Sequence, residues 1–131
     1  MSLFEERLAE LPLHIEGYAL EGLQREVSSA STRVSTVIRM HGGSEEGVGE
    51  DVTYDAPDHE ILQATGPVLP FAGAWTLGSF CDHVEALDLW PAPPQREPSR
   101  LYRVWAFEST ALDLALRQAG TSLYAALGRE P

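Results

Sequence analysis

Cysteine is almost missing from this chain: Cys81 stands alone, so no internal disulfide can staple the fold, and a reducing compartment suits it. Long apolar runs are missing as well. No segment approaches the ~20 apolar residues of a membrane span, and the start MSLFEERLAELPLHIEG lacks the basic flank and apolar stretch of a secretion signal. Positive charge is scarce. Nine Lys and Arg face twenty Asp and Glu, and the formal net charge of -11 repels phosphate backbones and anionic lipid. The expectation is a cytoplasmic protein that binds neither nucleic acid nor membrane.

Catalytic signatures are also short. His14, His41, His59 and His83 show no pairing at ligand spacing, and one cysteine cannot complete a usual zinc site. GVGEDV lacks the third glycine of a dinucleotide loop. HGG, at His41 to Gly43, resembles an esterase oxyanion loop, but no Gly-x-Ser-x-Gly supplies a nucleophile. The acidic residues Glu45, Glu46, Glu50, Asp51, Asp55, Asp58 and Glu60 lack the alternate spacing of a calcium loop and read as a solvated face, with Glu50 set apart by its place at a strand end.

What the sequence does hold is enough apolar material for one folded domain over residues 1–131, with 44% hydrophobic residues. Phe4, Leu8 and Leu11 recur at helical spacing before Pro12. The period then falls to two, predicting a first strand with Leu13, Ile15, Gly17 and Ala19 on one face and His14, Glu16 and Tyr18 on the other. RVSTVIRM sets Val34, Thr36, Ile38 and Met40 on one face of a β-branched second strand. Gly42 and Gly43 turn the chain, and EGVGEDVTY returns antiparallel. These strands, within about residues 13–54, make a three-stranded antiparallel β-meander.

Helices occupy about residues 58–128. A short one is expected over 58–65, and GPVLPFAGAW reads as an interrupted connection. Thr76 caps a helix whose Leu77, Phe80, Cys81, Val84 and Leu87 form one stripe ending before Pro91. PAPPQREP is a stiff linker. Ser99 caps a long helix from Arg100 to about Ala119, Gly120 ends it, and Thr121 caps a last short helix. The fold class is α+β, a meander followed by a helical subdomain.

The long helix is apolar over a wide arc. Leu101, Trp105, Leu112, Ala115, Leu116 and Ala119 form one stripe, which Val104, Phe107, Ala111 and Leu114 widen. Such a helix packs between two layers. A sheet covers one, and the other is expected to come from a second subunit or from more of a longer chain. Asp113 pairs in spacing with Arg117, while Glu108 falls inside the arc and needs a partner if buried. Trp105 and Phe107 read as core or interface anchors.

FESTALDLALRQAGTSLYAALGREP resembles the end of the N-terminal capping domain of the enolase superfamily, in its mandelate racemase and muconate lactonizing branch. EEGVGEDVTY resembles the Gly-x-Gly-Glu that closes that family's third strand, and the order of strands before helices agrees. The resemblance implies an enolase N-terminal-domain-like fold and a (β/α) barrel after residue 131, which would hold the catalytic lysines and the Mg2+ ligands. It implies a parent isomerase or lyase that abstracts a proton α to a carboxylate. This chain would be its lid, inactive alone, with no catalytic residue and no metal ligand of its own.

The lid of that family selects a small carboxylate substrate through two loops. The resemblance places the first at Glu21 to Ser31 and the second at Glu50 to Asp55, with Gln24, Arg25, Glu26, Val52 and Tyr54 as substrate contacts. The expected partner is the barrel, or a second copy through the apolar helix face. The alternative reading is a stand-alone α+β interaction module that dimerises through the long helix. A small independent enzyme using the acidic loop has no converging base, nucleophile or metal set to support it.

Overall fold

The computed structural model describes residues 6–28 and 31–128. Three strands form the expected meander: β2 (Gly17–Ser28), β3 (Ser31–Gly42) and β4 (Glu45–Asp51), ordered β2-β3-β4 and antiparallel throughout. A short helix α1 (Glu6–Ala9) and strand β1 (Pro12–Ile15) precede them. After them come α2 (Ala56–Thr65), β5 (Gly73–Thr76), α3 (Leu77–Ala86), α4 (Ser99–Ala119) and α5 (Leu123–Ala126). The α+β class holds, with helices following the sheet.

The expected first strand divides in two. Ile15 ends one ribbon and Gly17 starts another, so β1 pairs with β5, not with the meander. The face changes at this break: Leu13 and Ile15 are buried, and so is Tyr18, which the alternation had pointed outward. Gln118 closes the gap between ribbons. Its Nε2 donates to His14 O at 2.7 Å and Gly42 O at 3.1 Å, and its Oε1 accepts from His14 N at 3.0 Å. One side chain thus satisfies backbone groups that a continuous ladder would have paired.

Strand β2 is longer than expected. Glu21 to Ser28, read as a loop, is regular strand paired with β3, with a register shift between Glu26 and Ser28. The second strand keeps its predicted face: Thr36, Ile38 and Met40 are buried. The third stops at Asp51, before Tyr54.

The long helix lies across β4 because two glycines permit it. A Cβ on Gly47 would stand 2.5 Å from Leu114 N and 2.6 Å from Thr110 O, and one on Gly49 would strike Thr110 Oγ1. These glycines face Met40 and Ile38 across the ladder, and Ala106, Thr110, Ala111 and Leu114 settle over them. Asp113 adds a bond from Val48 N at 2.9 Å while keeping its ion pair with Arg117.

The second side of α4 is partly covered by α3, whose Leu77, Phe80, Cys81 and Val84 are buried as the stripe predicted. Tyr18, Phe71, Phe80 and Phe107 join as a chain of tilted and edge-on rings with centroids 5.1 to 5.9 Å apart. Leu101 and Tyr102 remain exposed at 49% and 45%, so the wide arc is not fully closed within the described residues. Thr76 caps α3 in a reciprocal box with Ser79. Helix α3 ends at Ala86, short of Trp90, and Ser122, not Thr121, caps α5. Gly120 ends α4 in the left-handed region at φ 65, where a glycine has no Cβ penalty. No helix among the described residues is long and apolar enough to cross a membrane.

Candidate functional site

One end of the sheet gathers the predicted contact residues. Val52 and Tyr54 follow β4 and are exposed at 50% and 64%. Gln24, Arg25 and Glu26 lie in β2, opposite Val34, Arg33 and Thr32, so strand pairing carries them to the same end that Arg33 occupies. Their setting is a strand, not the capping loop expected of them, because the backbone of 21–28 is paired with β3.

A cleft of about 460 Å³ opens at this end, lined by Arg33, Val52, Tyr54, Arg96, Ser99 and Tyr102. Arg33 Nη2 donates to Val52 O at 2.8 Å, which fixes the segment leaving β4. Arg96 pairs with Asp55 at 3.1 Å. Both guanidinium groups lie in cation–π range of the Tyr54 ring, 5.8 Å and 4.7 Å from its centroid. Two arginines, of which Arg96 is paired with Asp55, and two tyrosines surround one opening on a chain of net charge -11. That combination suits a small planar anion, since the guanidinium fork matches carboxylate geometry.

A buried polar network stands behind the cleft. Arg103 Nε donates to Asp51 Oδ2 at 2.6 Å, and both side chains are fully buried. Asp51 Oδ1 accepts from Thr53 N at 3.0 Å and from Thr53 Oγ1 at 2.5 Å. Arg103 stacks on Trp90, its Cζ 3.6 Å from the ring centroid, and Nη2 donates to Asp58 O at 3.3 Å. Asp58 in turn accepts from Gln95 N. Asp51 and Asp58 therefore do not belong to a solvated acidic face: the structure turns both inward to hold β4, α2 and α4 together.

His59 is the second node. Its Nε2 lies 2.7 Å from Thr53 O, a pure acceptor, so Nε2 carries the proton and Nδ1 accepts from Thr36 Oγ1 at 2.8 Å. Gln63 Nε2 completes the chain by donating to Thr36 Oγ1 at 2.9 Å. Ser35 Oγ donates to Glu50, which gives that strand-end carboxylate a structural partner. These bonds join the network's members to one another, with Arg103 Nη1 and Trp90 Nε1 left without a hydrogen-bond partner. Its role is to fix Val52, Tyr54 and the start of α2, not to present a nucleophile or base.

Among the described residues, no three His, Cys, Asp or Glu gather as a metal site. Cys81 is buried, and burial with Glu108 nearby pushes its thiol well up, away from the reactive thiolate. Arg33, Arg96 and Tyr102 escaped the sequence reading. Arg33 was seen only as the outward face of a strand and Arg96 only as part of a proline-rich linker.

The family model described as the N-terminal domain of a domain of unknown function, DUF8230, matches residues 6–126. No curated protein and no solved structure matches the chain. The match takes in the meander, the cleft and the long helix together, and the chain belongs to the DUF8230 N-terminal domain family.

Proposed function

We propose that this chain is the lid and substrate-specificity domain of an enolase-superfamily enzyme, a Mg2+-dependent isomerase or lyase that removes a proton α to a carboxylate. The observation that carries the reading is the placement of Val52 and Tyr54: both exposed, both anchored from below, and both in a cleft with Arg33 and Arg96. A lid needs that division between a rigid base and a projecting contact surface. The meander followed by helices, with Gly47 and Gly49 admitting the long helix, also accords with it. So does the description of the matched family as an N-terminal domain, which leaves room for a barrel beyond it.

In this reading the chain's residues bind and orient. Arg33 and Arg96 attract the carboxylate, the Tyr54 ring fixes its approach, and Val52 sets the width of the opening. Gln24, Arg25 and Glu26 stand at the same sheet end and contact the substrate from the second side. In this reading Mg2+ and the proton-transferring groups belong to the barrel that the resemblance implies. Leu101 and Tyr102, exposed on the long helix, are where the barrel packs.

The reading frame beyond the Pro131 codon tests this. A continuation of about 250 residues in alternating strands and helices, with a Lys-x-Lys strand end and three spaced Asp/Glu, supports the lid. A frame that continues without those ligands overturns the lid, and a stop codon after Pro131 together with a helix-mediated dimer of defined stoichiometry favours the stand-alone interaction module instead.

A further inference from the structure

Arg39, Arg96, Arg100, Arg103 and Arg117 each meet a carboxylate within 3.1 Å. Arg33 differs from them. It donates from Nη2 to Val52 O at 2.8 Å, and among the described residues no carboxylate pairs with it. On a chain with twenty Asp and Glu, an unmatched guanidinium that lines a cleft marks a place for an anion from outside the fold.

The rest of the cleft narrows the class of that anion. Val52, Pro98 and the rings of Tyr54 and Tyr102 give the opening apolar walls. Arg96 is matched by Asp55, so a second negative group on the ligand would find no unmatched charge there. A polyhydroxylated body would find only the Ser99 and tyrosine hydroxyls to bond, and every hydroxyl left without a partner weakens binding. A flat apolar ring carries no such cost. Arg96 lies 4.7 Å from the Tyr54 centroid, yet Tyr54 is 64% exposed and keeps surface for a second ring in offset or edge-on contact.

We infer that the cleft takes an arylcarboxylate, with its single carboxylate on Arg33 and its ring against Tyr54. The inference rests on the carboxylate-binding role proposed for this cleft and adds the body of the ligand to it. It also separates the two arginines. Arg33 bonds the anion directly, while Arg96, already held by Asp55, positions the Tyr54 ring that the ligand meets.

Benzoate, cyclohexanecarboxylate and gluconate are the probes, titrated by calorimetry into the full gene product at one pH and ionic strength, with benzyl alcohol as the uncharged control. Benzoate is expected to bind tightest, by about threefold or more over cyclohexanecarboxylate and by about tenfold or more over gluconate, and benzyl alcohol not to bind. Arg33→Gln is expected to weaken benzoate about tenfold or more. Because Arg33 also holds Val52 O, Tyr54→Leu is the second variant: it keeps the cation, and the advantage of benzoate over cyclohexanecarboxylate is expected to vanish. Equal or tighter binding of cyclohexanecarboxylate or gluconate overturns the aromatic class and leaves the carboxylate-binding role of the cleft standing. Benzoate binding that neither variant changes overturns the inference by placing the acid elsewhere. Binding of none of the three acids overturns the inference together with the reading it rests on.

Discussion

Arg103 and Asp51 meet 2.6 Å apart with no solvent on either side chain, joining the start of the long helix to the last residue of β4. The pair ties the segment that leaves β4 to α2 and α4 behind the cleft. Asp51 orients Thr53 between Val52 and Tyr54, while Arg103 holds Asp58 O and stacks on Trp90.

Breaking the pair from one side leaves a buried charge unmatched. Arg103→Met or Asp51→Asn alone is expected to cost about 3–5 kcal/mol in urea unfolding. The double variant is expected to cost far less than the two losses added, since it removes both charges at once. Single losses below about 1 kcal/mol contradict the anchoring role.

Gly47 and Gly49 are predicted to resist any side chain. Gly47→Ala pushes a Cβ into the backbone of α4 at Leu114 and Thr110, where nothing flexible can yield. A loss of about 1–3 kcal/mol is expected from each glycine, with the larger at Gly47, because Gly49 meets the Thr110 hydroxyl first. Thermal unfolding of both variants measures the order.

Glu108 gives the stability a pH dependence of known sign. Its folded carboxyl is raised from 4.5 to about 7, chiefly by burial and then by Glu85. The native state therefore holds this proton more tightly than the unfolded chain, and the stability that follows is complete below about pH 4.5 and lost as pH rises through about 7. Glu108→Gln is expected to match the parent in acid and to exceed it above neutrality. A Tm difference that does not change with pH would contradict this.

The cleft predicts a split between its residues. On the lid reading, Tyr54→Ala and Arg96→Gln in the full gene product are expected to change relative kcat/KM among carboxylates by about tenfold or more while leaving unfolding nearly unchanged, because both side chains are largely exposed. Equal losses for every substrate would mark the residues as structural.

Some of this was legible in residues alone. β3 declares itself by β-branched alternation, and α3 by its stripe and the Thr76 cap. EGVGEDVTY read as strand through Tyr54, but β4 ends at Asp51, so Val52 and Tyr54 follow the strand instead of closing it. The β1–β5 ribbon was hidden, since each strand has four residues and the pairing of Leu13 with Trp75 joins positions far apart in the chain. β2 was cut short because Gln24, Arg25 and Glu26 carry no apolar period, and only pairing with β3 holds them extended. Asp51 looked like one acid among many. Its burial depends on an arginine 52 residues away, which no local pattern announces.

The most direct test of the lid account is α-proton exchange in D2O. The full gene product, with Mg2+, is offered a panel of small carboxylates, and deuterium at the α-carbon is followed by NMR. The account predicts Mg2+-dependent exchange with at least one carboxylate, and a changed preference across the panel in Tyr54→Ala. Exchange with none, from a folded protein carrying Mg2+, would contradict the assignment of this chain to a carboxylate-selecting lid.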